Sequence, residues 1–137
     1  MEKFKVLDFA TADIAYEVYG KSLEELFKNA ALAMFETMTD ISKIEKKEVR
    51  EVEIVSQDLE SLLFDWLTNL LVFVDSENLF FSDFEIKIEN NKLYAKCYGE
   101  FFNPEKHERR ISVKAVTYHK MKIEKNDIWK ATIIFDV

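Results

Sequence analysis

Apolar residues alternate with polar ones in some stretches of the chain and recur every three or four positions in others, which separates its strands from its helices. Ile14, Tyr16 and Val18 share one face of a strand over 14–19, and Gly20 stops it. Ser22, with Glu25 three residues on, has the form of a capping box, the reciprocal pairing that opens a helix. Leu23, Leu26, Phe27, Ala30, Ala31, Met34, Phe35 and Met38 then trace an amphipathic helix of about four to five turns. The charged stretch 43–51 reads as solvated, and Val52 and Ile54, alternating with Glu51 and Glu53, as a half-buried strand. Ser56 or Asp58 can cap a second helix, with a stripe of Leu59, Leu62, Leu63, Trp66, Leu67, Leu70, Leu71 and Val74. Phe64 and Phe73 fall off that stripe, so this helix is apolar over a wide arc and is expected to be the more central of the two.

The second half turns to strands. Phe84, Ile86 and Ile88 alternate with Glu85, Lys87 and Glu89, and Asn90-Asn91 supplies a turn. Leu93, Ala95 and Cys97 form the inward face of the returning strand, up to Gly99. Asn103-Pro104 opens a polar loop holding His107, Arg109 and Arg110. Val113, Ala115, Thr117, His119, Met121 and Ile123 then read as one face of a strand, with Lys114, Tyr118, Lys120 and Lys122 opposite. Asn126-Asp127 turns the chain into a last strand, where Trp129, Ala131, Ile133 and Phe135 face one way. The pattern predicts an α+β fold in a single domain, 1–137. Two amphipathic helices would pack on a mainly antiparallel or mixed sheet containing the strands near 14–19, 52–55 and 113–135.

At 137 residues the chain is about one domain, able to bury a core without disulfide or metal staples. Only 2 glycines and 1 proline leave little room for glycine-rich phosphate loops or linkers. The net charge is −7, with no basic stripe but only mixed runs such as Glu45-Lys46-Lys47-Glu48, so direct nucleic-acid binding is not expected. The lone Cys97 excludes an internal disulfide and reads as a small core residue. Lys3 and Lys5 interrupt any signal-like opening, and no apolar segment approaches a bilayer span; a cytoplasmic protein without membrane association is expected.

No nucleophile–base constellation can be read: there is no G-x-S-x-G, H-E-x-x-H or P-loop pattern. His119 lies on the apolar face of its strand and reads as a hydrogen-bonded core histidine, whereas His107 sits in a charged loop. The carboxylates offer more. Asp13 stands at the mouth of a strand after Thr11 and Ala12, and Asp136 ends the last strand beside the α-carboxylate of Val137. If those strand ends are neighbours, their oxygens converge, and hard oxygen ligands suit calcium or magnesium rather than zinc. The alternative is that these acids are simply solvated.

Several blocks resemble the archease family: Thr11-Ala12-Asp13 before a strand, Ser22-Leu23-Glu24-Glu25-Leu26-Phe27, and Asn29-Ala30-Ala31-Leu32-Ala33-Met34-Phe35 ending at Met38-Thr39-Asp40. The resemblance continues through Leu62-Leu63-Phe64-Asp65-Trp66-Leu67 and Val113-Lys114-Ala115-Val116-Thr117-Tyr118-His119, and closes at Ile134-Phe135-Asp136-Val137. It implies a protein cofactor of an RtcB-type RNA ligase in tRNA splicing, which promotes guanylylation of the ligase and its repeated turnover without ligating RNA itself. It also implies a divalent-metal site, calcium foremost, at Asp13, Asp136 and Val137. The chain departs from the family where an acidic residue and a histidine normally precede Thr-Ala-Asp. Here Asp8-Phe9-Ala10 carries no histidine, and Asp8 is one step out of register.

Two readings follow. In the first, the protein is an accessory activator, and its metal cluster and the loop around His107, Glu108 and Arg109 are exposed. In the second, it is a stand-alone metal-dependent phosphoesterase using Asp13 and Asp136, with His107 as general base. A general chaperone role has no support beyond the missing catalytic constellation.

Overall fold

In the computed structural model, which describes residues 2–9 and 12–137, seven strands and two helices follow the chain. They are β1 (Phe4–Phe9), β2 (Asp13–Gly20), α1 (Leu23–Met38), β3 (Glu48–Val55), α2 (Leu59–Glu77), β4 (Leu79–Glu89), β5 (Lys92–Phe101), β6 (Ala115–Lys125) and β7 (Trp129–Asp136). The caps are those the sequence predicts. Ser22 Oγ accepts from Glu25 N–H at 3.1 Å, while the Glu25 carboxylate reaches back to Lys21 N–H. Asp58, not Ser56, caps α2, accepting from Ser61 N–H at 2.8 Å; Ser56 instead donates to Asp65. Asn90 and Asn91 both take positive φ, as a two-residue hairpin turn requires.

The strands form two antiparallel sheets, not the single sheet expected. The first has the order β1-β2-β7-β6 and the second β3-β5-β4, so the strand near 52–55 does not join those near 14–19 and 113–135. The physical reason lies in α1, which is buried without a break from Asn29 to Phe35 and packs on both β2 and β4. A helix buried over so much of its circumference needs a layer on each side. α1 is therefore the central helix, against the expectation for α2, whose buried residues keep to one stripe from Leu62 to Leu71. Apolar width misled because α1 buries polar side chains that have internal partners. Asn29 donates to Tyr19 O at 2.7 Å, and the Thr37 and Tyr16 hydroxyls lie 2.6 Å apart.

Three other boundaries differ. β1 lacks a sequence signature because it is an edge strand with Val6 and Leu7 exposed. β4 begins at Leu79 because left-handed Asn78 turns the chain straight out of α2. The charged stretch 43–51 is already strand from Glu48. In β6, a bulge between Thr117 and Lys122 centres on Lys120 (φ 63°) and resets the alternation. Val116 faces inward opposite Phe135, Ala115 and Thr117 face outward, and Ile123 returns opposite Ala131. His119, expected in the core, is exposed in that bulge.

The core is aromatic at its centre. Phe35 of α1 meets Phe80, Phe81 and Phe84 of β4, and Phe84 meets Trp66 of α2. Trp66 is fully buried and donates from its indole nitrogen to Phe27 O at 3.0 Å, tying the helices together. Gly99 lets β5 pass β4: a Cβ there would lie 1.9 Å from Phe80 O. We expect Trp66→Ala to cost about 3–5 kcal/mol in a urea melt, as for a large buried aromatic. A loss below about 1 kcal/mol, less than a typical surface-to-core difference, would overturn this account of the core.

Candidate functional site

β2 and β7 pair along their whole length, and their inward residues set the register: Ile14 opposite Phe135, Tyr16 opposite Ile133, Val18 opposite Ala131. Alternation then puts Asp13 directly opposite Asp136 on the outward face, at the end of the sheet. Directly opposed side chains have Cβ atoms about 4.5–5.5 Å apart, so the two carboxylates are neighbours. Asp13 is exposed, and Asp136 and Val137 are half-buried. Val137 N–H donates to Ala12 O at 3.0 Å, which holds the end of the chain against the start of β2. From the other side Lys114 N–H donates to Asp136 O at 2.8 Å, and Ala115 pairs with Asp136. The sequence-predicted trio of Asp13, Asp136 and Val137 is thus brought to one place.

Among the described residues, neither carboxylate has an ion-pair partner, although like charges facing each other across a ladder repel. A cation between them would relieve that repulsion, and the available donors are all hard oxygens: two carboxylates and the main-chain oxygens of Val137. Among the described residues no cluster of three or more His, Cys, Asp or Glu side chains could hold a metal, so a cation here depends on those main-chain oxygens as well. Asp8, paired with Ala15, shares the outward face of Asp13. Thr11 and Ala10 lie outside the described residues. Lys114, to which the sequence assigns no role, is exposed next to Asp136, without an ion-pair partner among the described residues. Only its backbone meets Asp136, while its side chain lies toward Phe64, Leu71 and Val72 of α2, an arrangement that comes from strand pairing and that sequence spacing does not reveal.

His107 is placed elsewhere, and differently from the expectation of an exposed loop residue. Its side chain is completely buried and both ring nitrogens are used. Nδ1 accepts from Asn103 N–H at 2.9 Å, so Nε2 carries the proton and donates to Glu100 Oε1 at 2.8 Å. Glu100, on β5, also receives Lys106 Nζ at 2.7 Å and Glu45 N–H at 3.0 Å. Burial alone would raise the Glu100 carboxyl, but these donors outweigh it and hold the group down at about 2. The latch fixes the loop 102–114 as a cap on α1: Arg110 and Ile111 N–H donate to the carbonyls of Met38 and Thr37, and the Arg110 guanidinium to that of Glu36. Glu108 and Arg109 are exposed, as expected. Cys97 is the buried core residue predicted, its thiol pushed up to about 12 by burial.

The profile of the Archease protein family (MTH1598/TM1083) matches residues 4–137. A protein archease of Sulfurisphaera tokodaii is 51% identical, with both chains covered in full. One from Pyrococcus abyssi is 53% identical over 93% of this chain and 94% of its own. The solution structure of Protein 1598 from Methanobacterium thermoautotrophicum matches with a TM-score of 0.85 at 45% identity, covering all of both chains. The crystal structure of a Thermotoga maritima archease, described as a possible chaperone, matches with a TM-score of 0.69 at 30% identity over 93% of each chain. The chain belongs to the archease family. Among the described residues no helix is long and apolar enough to cross a membrane.

The latch has a consequence for acid stability. The folded Glu100 carboxyl, at about 2, lies below its usual value of 4.5, so its ionised form adds stability above about pH 4.5 that is lost as pH falls through 2. Glu100→Gln should lower stability by about 1–3 kcal/mol at neutral pH and flatten its decline between those limits. A residual slope is expected from Asp83, whose carboxyl Lys46 and Lys28 hold at about 2 against the opposing effect of burial. Urea melts across the acid range check this, and a variant profile parallel to the parent's would contradict it.

Proposed function

We propose that this protein is an accessory activator of an RtcB-type RNA ligase, promoting guanylylation of the ligase and its repeated turnover, with a divalent cation, calcium foremost, held by Asp13, Asp136 and Val137. Family membership supports the reading, and so does the net charge of −7, which suits docking on a basic, RNA-handling protein better than gripping RNA directly. The observation that carries it is the directly opposed pair Asp13–Asp136 at the rim of the first sheet, which has no ion-pair partner among the described residues. When bound, the cation would supply a fixed positive charge at that rim. Two carboxylates and Val137 oxygens fall short of the 6–8 ligands calcium takes, so water or a partner's group completes the shell. The protein raises ligase activation by preferring its activation-competent conformation, since a partner shifts an equilibrium only by its differential affinity.

The phosphoesterase reading is the weaker one. Its general base, His107, is buried in the loop 102–114 with both nitrogens engaged, by Asn103 and by Glu100, the latter on a strand of the other sheet from Asp13 and Asp136.

The test is ligation under multiple-turnover conditions with an RtcB-type ligase. The parent should speed guanylylation and sustain turnover, show no ligation alone, and stimulate at least about tenfold, which requires only about 1.4 kcal/mol of conformational preference. Asp13→Ala and Asp136→Ala should lose most of the stimulation. Unchanged turnover with the parent overturns the accessory role, and equal stimulation by the variants removes the acidic pair from it. Separately, calorimetry should detect calcium binding by the parent that Asp13→Ala abolishes; no heat of binding by the parent would retire the metal site.

A further inference from the structure

The outward face of the first sheet is sorted by charge along β2. Toward one end Glu17 draws Lys5 of β1 to 3.7 Å and Lys130 of β7 to 3.9 Å. At the other end stand Asp13 and, opposite it on β7, Asp136. A third carboxylate joins them because β1 is irregular. Phe4, Lys5 and Val6 pair in step with Val18, Glu17 and Tyr16. Unbroken alternation from there would put Leu7 outward, opposite Ala15, and Asp8 inward, opposite buried Ile14. The register instead shifts between Val6 and Asp8, so Leu7 is the extra residue and Asp8 pairs with Ala15. Asp8 is thereby exposed on the outward face, and Ala15 opposite it carries only a methyl group. Asp13 lies two residues before Ala15 on that face, which makes Asp8 its diagonal neighbour across the ladder, at about 7–8 Å between Cα atoms. One bulge thus keeps a carboxylate out of the core and delivers it to the corner where Asp13 and Asp136 meet.

We propose that Asp8 is a positioning residue for the cation site, acting from outside the ligand set by accepting a hydrogen bond from a water in the cation's shell. The step rests on the cation reading above. Diagonal spacing sets Asp8 farther from Asp13 than Asp136 is, and among the described residues no three acidic, histidine or cysteine side chains form a group that could hold a metal. Asp8 is therefore not a third direct ligand. Two carboxylates and the Val137 oxygens leave places for water in a calcium shell, and outer carboxylates that hold such groups tune affinity. A unit charge about 7 Å from a divalent ion is worth about sevenfold in affinity in water, and less for a monovalent ion, since the attraction scales with the ion's charge. Asp8 strengthens the site and biases it toward divalent ions.

The experiment titrates calcium into the parent, Asp8→Asn, Asp8→Glu and Asp127→Asn by calorimetry at low and high ionic strength, with calcium-free melts of each. Asp127 is an exposed acid in the turn at the far end of the same sheet. Asp8→Asn, which keeps the shape and removes the charge, should weaken binding about three- to tenfold at low salt. That deficit should narrow as salt rises, because exposed charges are screened over about 10 Å at 0.1 M. Asp8→Glu and Asp127→Asn should stay within about twofold of the parent, since one keeps the charge and the other lies beyond the screening length. Without calcium, Asp8→Asn should melt at or above the parent's temperature, because it removes a like charge from the corner. Parent-like affinity in Asp8→Asn overturns the proposal while leaving the cation site intact. Equal weakening by Asp8→Asn and Asp8→Glu makes shape rather than charge the cause and overturns it too. So does equal weakening by Asp127→Asn, which would reduce the effect to net charge, or a calcium-free Asp8→Asn that melts well below the parent, which would make Asp8 structural. A parent that shows no heat of calcium binding overturns the cation site and the role of Asp8 with it.

Discussion

The packing of α1 against both sheets constrains most of what surrounds it. A helix in that position must bring its own polar groups into satisfaction, because each orphaned buried donor or acceptor costs about 1–3 kcal/mol. Asn29 and Thr37 do so through Tyr19 and Tyr16, which binds α1 to β2. The last carbonyls of α1 are met by Arg110 and Ile111, and the last turn of the helix contains no basic residue of its own. The long connection between β5 and β6 is therefore structural along its middle. The Glu100–His107 latch holds it in place, with Arg109 resting on the Phe102 ring beside it.

The same core places the acidic pair. Its register is dictated by Ile14, Tyr16 and Val18 packing with Phe135, Ile133 and Ala131, and a slip of one residue would turn the carboxylates into the interior. At the open end of the sheet they are tolerated as facing charges because water reaches Asp13. Positioning by the core and exposure at the rim together make a site that is rigid yet accessible to a partner.

Much of this was legible before folding was considered. The periods of three and a half and of two located both helices and most strands, the short-range chemistry of Ser22, Asp58 and Asn90-Asn91 marked their ends, and the order of motif blocks pointed to the archease family. What escaped were features with no local cause. β1 is an exposed edge strand with little buried face to impose alternation. The bulge at Thr117–Lys122 shifts the phase of β6 partway along, so His119 followed an apolar pattern into solvent. His107 looked solvated because its neighbours in sequence are charged, whereas its bonding partner, Glu100, comes from the preceding strand.

By itself, then, the sequence determined both helices and most of the strands, that they make one α+β domain, and which acidic residues could meet at strand ends. Those properties follow from side-chain spacing and near-neighbour hydrogen bonds, which the chain carries locally. Only the tertiary structure decided that the strands split into two sheets, that α1 rather than α2 is the more deeply buried helix, and that Asp13 faces Asp136 with the Lys114 backbone alongside. These depend on which surfaces bury one another, and burial is a property of pairs of distant segments: Phe35 against Phe81, or Trp66 against the carbonyl of Phe27, has no counterpart in the order of residues along the chain.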